Sequence, residues 1–214
     1  MNIFETEVDR YELWFENHSG AYQSEVNAVR AALPASGRGL EIGMGTGRFS
    51  TPFGITEGVE PAAAMRRIAE QHGLHILDAK AEALPYEDCT FDFALMVTTI
   101  CFVDDADLAC REAWRVLKLG GSLIIGLVDS DSDLGQHYKA HREESPFYRT
   151  ARFFSVTELS GIMRKAGFKN LRYHQTLFQS PEAPETKEPV KEGFGEGGFV
   201  VISGEKDKER EGTS

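Results

Sequence analysis

The chain has 214 residues, 41% of them hydrophobic and 27% charged, a composition able to close a sizeable globular core. Twenty-three basic residues against 34 acidic ones leave a net charge of −11, which argues against a duplex nucleic acid or an anionic membrane as partner. Three cysteines without a CxxC pair exclude a disulfide scaffold, and with no secretory leader or ~18-residue apolar span in view the expected location is the cytoplasm.

Residues 5–33 read as helical. Tyr11, Trp14, Phe15, Tyr22, Val26, Val29 and Ala32 recur at three- and four-residue steps with acids and Asn between them, and His18-Ser19-Gly20 marks a break into two helices. A short apolar run then enters a glycine loop at 39–47. A second strand over 54–61 ends in Glu60, and 62–72 reads as an amphipathic helix. Further strands are predicted at 74–79, 91–100 and 122–129, with a helix over 104–117 stopped by Gly120-Gly121. The pattern loosens after Asp129 through a polar stretch to about Ala151. A helix follows over 155–166, capped by Ser155 with Glu158 three residues on and closed by Gly167. Strands at 170–178 and 198–206 flank a loop rich in Pro, Glu, Lys and Gly, and the C-terminal residues read as a disordered tail. Strand and helix alternate, and the strands are nearly continuously apolar. That pattern predicts an α/β protein with a parallel sheet covered on both faces.

The informative segment is Glu41-x-Gly43-x-Gly45-x-Gly47. Spaced glycines at a strand end let backbone NH groups approach a ligand without side-chain obstruction. The dinucleotide spacing GxGxxG fits in neither register, and the phosphate-gripping GxxxxGK[ST] is absent. Carboxylates stand in place of phosphate grips: Glu41 before the first glycine, Glu60 at the end of the second strand, Glu82 just past the third. Such a set suits a ligand carrying hydroxyls and positive charge, for example a nucleoside with an amino-acid tail and a sulfonium.

Four segments, LEIGMGTG (40–47), GVEP (58–61), AEALPYEDCTFDFALM (81–96) and EAWRVLKLGGSLII (112–125), follow one another in the order and spacing of a known family. By them the chain resembles the class I S-adenosylmethionine-dependent methyltransferases, of the small-molecule branch called methyltransferase type 11. The resemblance implies a Rossmann-like fold with a seven-strand, mostly parallel sheet whose last strand is antiparallel. It would occupy 1–206, with 1–36 as an N-terminal helical cap, 129–154 as an acceptor-side insertion, and 207–214 as the tail. It implies S-adenosyl-L-methionine as cofactor and S-adenosyl-L-homocysteine as product. Gly43, Met44, Gly45 and Gly47 would wrap the methionine part, and Glu41 would support the loop or meet the ammonium group through water. Glu60 would bind the ribose diol, Pro61 and Met65 would line the adenine side, Ala81 and Glu82 would read the adenine edge, and Thr98 would offer its carbonyl to the ammonium group. Lys80 stands where many relatives carry an Asp for the adenine amino group, leaving Asp78 or Glu82 as substitutes.

The acceptor is expected to be a small, partly apolar molecule. Tyr11 and Phe15 from the N-terminal helix, Phe102, and Tyr138 are its candidate contacts, within a wider set that includes His137, Phe147, Tyr148, Phe153 and Phe154. His18 is the candidate general base, needed only for an acceptor that begins protonated. His137-x-x-x-His141 has metal-ligand spacing but no HExxH pattern and reads as a solvated helix face, so no metal is expected. No nucleic acid or membrane partner is expected, and the protein would be a monomer or homodimer. Two other readings share the same residues: a non-catalytic sensor or scaffold that binds the cofactor, and an NAD-dependent oxidoreductase, which the GxGxG spacing disfavours.

Overall fold

The computed structural model describes residues 3–179 and 186–207. Three helices open the chain, α1 (Ile3–Thr6), α2 (Val8–Asn17) and α3 (Ser19–Ala32), with the break between the last two at His18 where the sequence places it. There follow β1 (Gly39–Ile42), β2 (Glu57–Val59), α4 (Ala63–Gln71), β3 (His75–Leu77), β4 (Phe91–Val97), α5 (Ala106–Val116) and β5 (Leu117–Val128). The second half holds α6 (Asp133–Ala140), α7 (Pro146–Thr150), α8 (Val156–Lys165), β6 (Phe168–Thr176), β7 (Lys191–Glu192) and β8 (Phe199–Lys206).

One sheet of eight strands runs in the order β3-β2-β1-β4-β5-β8-β6-β7. The first five strands pair in parallel, while β8 is inserted antiparallel between β5 and β6. The expected seven strands gain an eighth in the two-residue β7, which pairs with the outer edge of β6. Its two residues are exposed and polar, which is why no apolar alternation announces it.

The alternation along the central strands divides the core in two. Phe91, Ala94 and Met96 of β4 face one side with α5 and α8, whereas Phe93, Leu95 and Val97 face the other with α2, α3 and α4. β8 splits likewise, Val200 and Ile202 against Phe199 and Val201. Both faces are therefore covered, as a parallel sheet needs.

Two expectations along the chain are corrected. Gly120-Gly121 does not stop a helix: α5 ends at Val116, and β5 begins at once and runs through the glycines. The pair serves a bulge instead, since the pairing of β4 with β5 passes from Phe91↔Leu117 to Phe93↔Ser122. A Cβ on Gly121 would lie 2.9 Å from the carbonyl oxygens of Asp92 and Lys118, a fit open only to glycine. The segment after Asp129 is also more ordered than its composition suggests. Ser132 and Ser145 accept from the amides of Gly135 and Tyr148, capping α6 and α7.

The cap expected at Ser155 is present, its hydroxyl accepting from the Glu158 amide at 3.2 Å. The predicted tail lies outside the described residues, Asp207 excepted. No helix among the described residues is long and apolar enough to cross a membrane.

Candidate active site

The loop between β1 and β2 is held on the sheet by its own backbone. The amides of Gly43 and Met44 both donate to the Val59 carbonyl, at 2.9 and 3.0 Å. Beneath it, Glu41 is 2% exposed and accepts the Ser50 hydroxyl. Burial pushes its carboxyl up to about 8, helped by the nearby Glu60 and opposed by Ser50, so Glu41 carries its proton at neutral pH and joins loop to strand as a neutral group. Glu60 closes the other side. Its Oε2 accepts from the Gly45 amide at 3.1 Å and its Oε1 from the Ala62 amide at 2.9 Å. Burial raises its pKa against those two amides, which lower it. Each oxygen keeps a lone pair for a ligand.

A cavity of about 490 Å3 opens above this loop, within the range of small-molecule sites. Gly43, Gly45, Glu60, Pro61, Met65, Ala81, Glu82 and Thr98 line it, together with Tyr11 and Phe102. Gly43 has φ +72° and its missing Cβ would stand 2.2 Å from the Thr99 methyl; Gly45 has φ +57° and lies under the Tyr11 hydroxyl. Carboxylate and hydroxyl acceptors on one wall and Pro61, Met65 and Ala79 on another fit a polyhydroxylated nucleoside, polar at its sugar and flat at its base.

Three residues of the expected cofactor set do not line this cavity. Met44 turns its side chain into the core, where a Cβ on Gly58 would lie 2.4 Å from its Cε. Gly47 backs onto Leu74, and Glu41 lies beneath the loop. Around the adenine side, Glu82 is engaged with protein: its Oε1 accepts the Asp104 and Asp105 amides at 2.6 and 3.1 Å, fixing the entry to α5. Lys80 pairs with Asp104 at 2.7 Å on the rim. Asp78 pairs with Arg66 at 2.9 Å and lies outside the cavity lining.

A second cavity, of about 230 Å3, adjoins the first. Its walls are rings: Phe4, Tyr11, Trp14, Phe15, Phe49, Phe102, Tyr138, Phe147, Tyr148, Phe153 and Phe154, with Glu25, Thr98 and Cys101 among the few polar members. All four expected acceptor contacts, Tyr11, Phe15, Phe102 and Tyr138, line it. Phe4, Tyr11, Thr98 and Phe102 line both cavities and form the wall between them. Thr98 holds φ +48°, costly for a residue with a Cβ. Its amide donates to the Gly126 carbonyl at 2.8 Å, and the Cys101 thiol donates to the Thr98 carbonyl at 3.1 Å. Burial lifts that thiol to about 12, keeping it a protonated donor. Burial, with Glu41 and Glu60 nearby, likewise keeps the Tyr11 phenol protonated.

His18 lines neither cavity. Its ring stacks on Trp14 at 4.9 Å and its Nδ1 meets the Trp14 carbonyl at 2.9 Å, the local geometry of a residue between two helices. His137 is also outside the lining, its ring tilted against that of His141 at 4.2 Å. Phe4 and Glu25 went unmarked in the sequence. Glu25 reads as a solvent-facing acid between apolar positions, although it stands three residues after Tyr22 and four before Val29, on the face that α3 buries.

Comparison with known proteins agrees with this geometry. Residues 40–125 match the model of the methyltransferase domain family. The crystal structure of a SAM-dependent methyltransferase from Thermotoga maritima, described as a possible histamine N-methyltransferase, superposes with a TM-score of 0.93. It is 55% identical, over 96% of this chain and 98% of that one. An uncharacterized protein of Methanocaldococcus jannaschii is 44% identical over 96% of this chain and all of its own length. A demethylmenaquinone methyltransferase of Roseiflexus castenholzii is 38% identical over 44% of this chain and 43% of its own. This chain therefore belongs to the class I S-adenosylmethionine-dependent methyltransferases, enzymes whose methyl donor and cofactor is S-adenosyl-L-methionine.

Proposed function

We propose that the protein transfers the methyl group to a small-molecule acceptor held in the aromatic cavity. The observation that carries this reading is the shared wall: Tyr11, Thr98 and Phe102 border both cavities, so a donor in one and an acceptor in the other meet there. Both compounds in the relatives' names, histamine and demethylmenaquinone, are small molecules, which supports the same class.

When bound, the donor would supply a methyl carried on a sulfonium: an acceptor lone pair would bond the methyl carbon in line while the carbon–sulfur pair leaves with sulfur as a neutral thioether. What remains for the protein is alignment and exclusion of water. Glu60 would take the ribose diol with the lone pairs its two amide bonds leave free. Gly43 and Gly45 would let the backbone approach the amino-acid end. Pro61 and Met65 would pack the base, and Ala81 would meet its edge. Thr98 and Tyr11 would hold the boundary between donor and acceptor. The rings around the acceptor exclude water and tolerate the positive charge that moves toward it. His18 has no part in this arrangement.

Calorimetric titration with S-adenosyl-L-homocysteine, beside NADH, tests the donor half. Micromolar binding of the homocysteine compound that falls at least about tenfold in Glu60→Gln is expected, since Gln can accept only one of the two amide bonds. Incubation with methyl-labelled donor and panels of small amines, thiols and phenols tests the acceptor half. Label appearing only on protein or nucleic acid would overturn the small-molecule reading.

A further inference from the structure

Tyr11 borders both cavities, its ring packed edge-on against Phe15 at 5.0 Å and Phe4 at 6.3 Å. Its hydroxyl is the part nearest the glycine loop. It stands 3.2 Å from the place a Cβ on Gly45 would take, with the closest ring carbons at 3.7 and 3.9 Å. Among the described residues that hydroxyl has no hydrogen-bond partner. Other tyrosines have theirs: Tyr22 donates to the Arg48 carbonyl at 2.5 Å, Tyr86 donates to the Gly58 carbonyl at 3.3 Å, and Tyr173 meets the Ser160 hydroxyl at 3.1 Å. Burial, with Glu41 and Glu60 nearby, keeps the Tyr11 phenol protonated, so it has a proton to donate. Its place over the loop is set by the protein. Glu12, the residue after Tyr11, accepts the hydroxyl of Thr46, the residue after Gly45, at 2.5 Å.

Neighbouring polar groups of the donor cavity are already spent. The Thr99 hydroxyl bonds the Gly43 and Val97 carbonyls at 3.2 and 3.0 Å. Lys80, the one basic side chain in the lining among the described residues, pairs with Asp104 at 2.7 Å. Glu60 offers lone pairs, which suit ribose hydroxyls rather than an anion. A carboxylate arriving over the glycine loop therefore meets, in Tyr11, a neutral donor that the fold has left over. We propose that the Tyr11 hydroxyl donates a hydrogen bond to the carboxylate of the cofactor's amino-acid tail, so that the N-terminal cap, and not the glycine loop alone, selects ligands carrying that tail. This rests on the cavity above the loop being the donor site. Tyr11 is then a binding and specificity residue for the donor, while its ring stays on the wall of the aromatic cavity. One side chain thus joins the tail of the donor to the border of the acceptor site.

The test compares S-adenosyl-L-homocysteine with methylthioadenosine, which keeps the nucleoside and the thioether but lacks the amino-acid tail. Both are titrated by calorimetry into the full-length protein and into Tyr11→Phe. The variant should bind the homocysteine compound about tenfold or more weakly, as loss of one charge-assisted bond implies, and methylthioadenosine within about twofold of the unaltered protein. Tyr11→Phe removes no hydrogen bond from the ligand-free protein, so the urea midpoint should not move. An equal loss for both compounds would put the hydroxyl on the nucleoside and overturn the proposal, as would no loss for either. A lowered midpoint, or a variant that does not fold, would show the hydroxyl already spent on the fold and overturn it as well. If the unaltered protein binds neither compound, the donor reading fails instead.

Discussion

Gly43→Ala should be more damaging than its small size suggests, and the structure says by how much. The backbone there has φ +72°, which costs a residue with a Cβ about 1–2 kcal/mol. The new Cβ would stand 2.2 Å from Thr99 Cγ2 and 2.5 Å from Thr99 Oγ1. Thr99 would have to turn away, losing the bonds its hydroxyl makes to the Gly43 and Val97 carbonyls at 3.2 and 3.0 Å. Those are worth about 1 kcal/mol each, so the whole loss is roughly 3–4 kcal/mol. Gly54 supplies the control. Its φ is +67° with nothing within 4 Å of a Cβ, so Gly54→Ala carries the strain alone, roughly 1–2 kcal/mol. Urea unfolding without ligand should place the Gly43→Ala midpoint about 1 M below that of Gly54→Ala. In a Thr99→Ala background the extra cost should shrink, because two of the three close contacts are gone. Equal midpoints for the two glycine variants would refute the argument that Thr99, rather than strain, makes this glycine obligatory.

Two further outcomes are expected. Glu41 binds its proton more tightly folded than unfolded, so its share of stability is greatest below about 4.5 and is lost as pH rises toward about 8. Urea midpoints of the ligand-free protein should fall across that window, and Glu41→Gln, neutral throughout, should flatten the fall; an unchanged slope would mean the carboxyl is ionised in the fold. His18→Ala should leave kcat within about twofold, because the ring lines neither cavity and stacks on Trp14; a tenfold loss would return His18 to the reaction.

The sheet was legible because its central strands leave little choice. Six of the seven residues of β4, all but Asp92, are buried, and their apolar run fits only a strand covered on both faces. The loop was legible for a different reason: closely spaced glycines at a strand end permit the positive φ that Gly43, Gly45 and Gly47 adopt. Local signals misled where tertiary pairing decides. Gly120-Gly121 looks like a helix stop in sequence, and only the register against β4 shows that it is a bulge inside β5. Met44 sits among the glycines of the loop yet packs its side chain against Gly58. Glu25 reads as a solvent-facing acid of an amphipathic helix. The cavity it lines exists only once α2, α6 and α7 have closed over the sheet.

The N-terminal segment explains why both cavities share one wall. It is tied to the donor side by carboxylates and to the acceptor side by rings. Glu5 accepts the Ala63 and Ala64 amides at 2.6 and 3.0 Å, at the start of α4, and Glu12 accepts the Thr46 hydroxyl at 2.5 Å and pairs with Arg48 behind the glycine loop. From the same segment Phe4 packs edge-on against Phe102 at 4.9 Å and tilted against Phe147 at 5.5 Å, and Tyr11 packs against Phe15 at 5.0 Å. The polar ties therefore set where the rings stand. A displacement of α1 and α2 would shift Phe4 and Tyr11 together, and with them the wall between the two cavities. The aromatic cavity is thus fixed relative to the glycine loop by residues that lie outside it, contributed by the N-terminal helices.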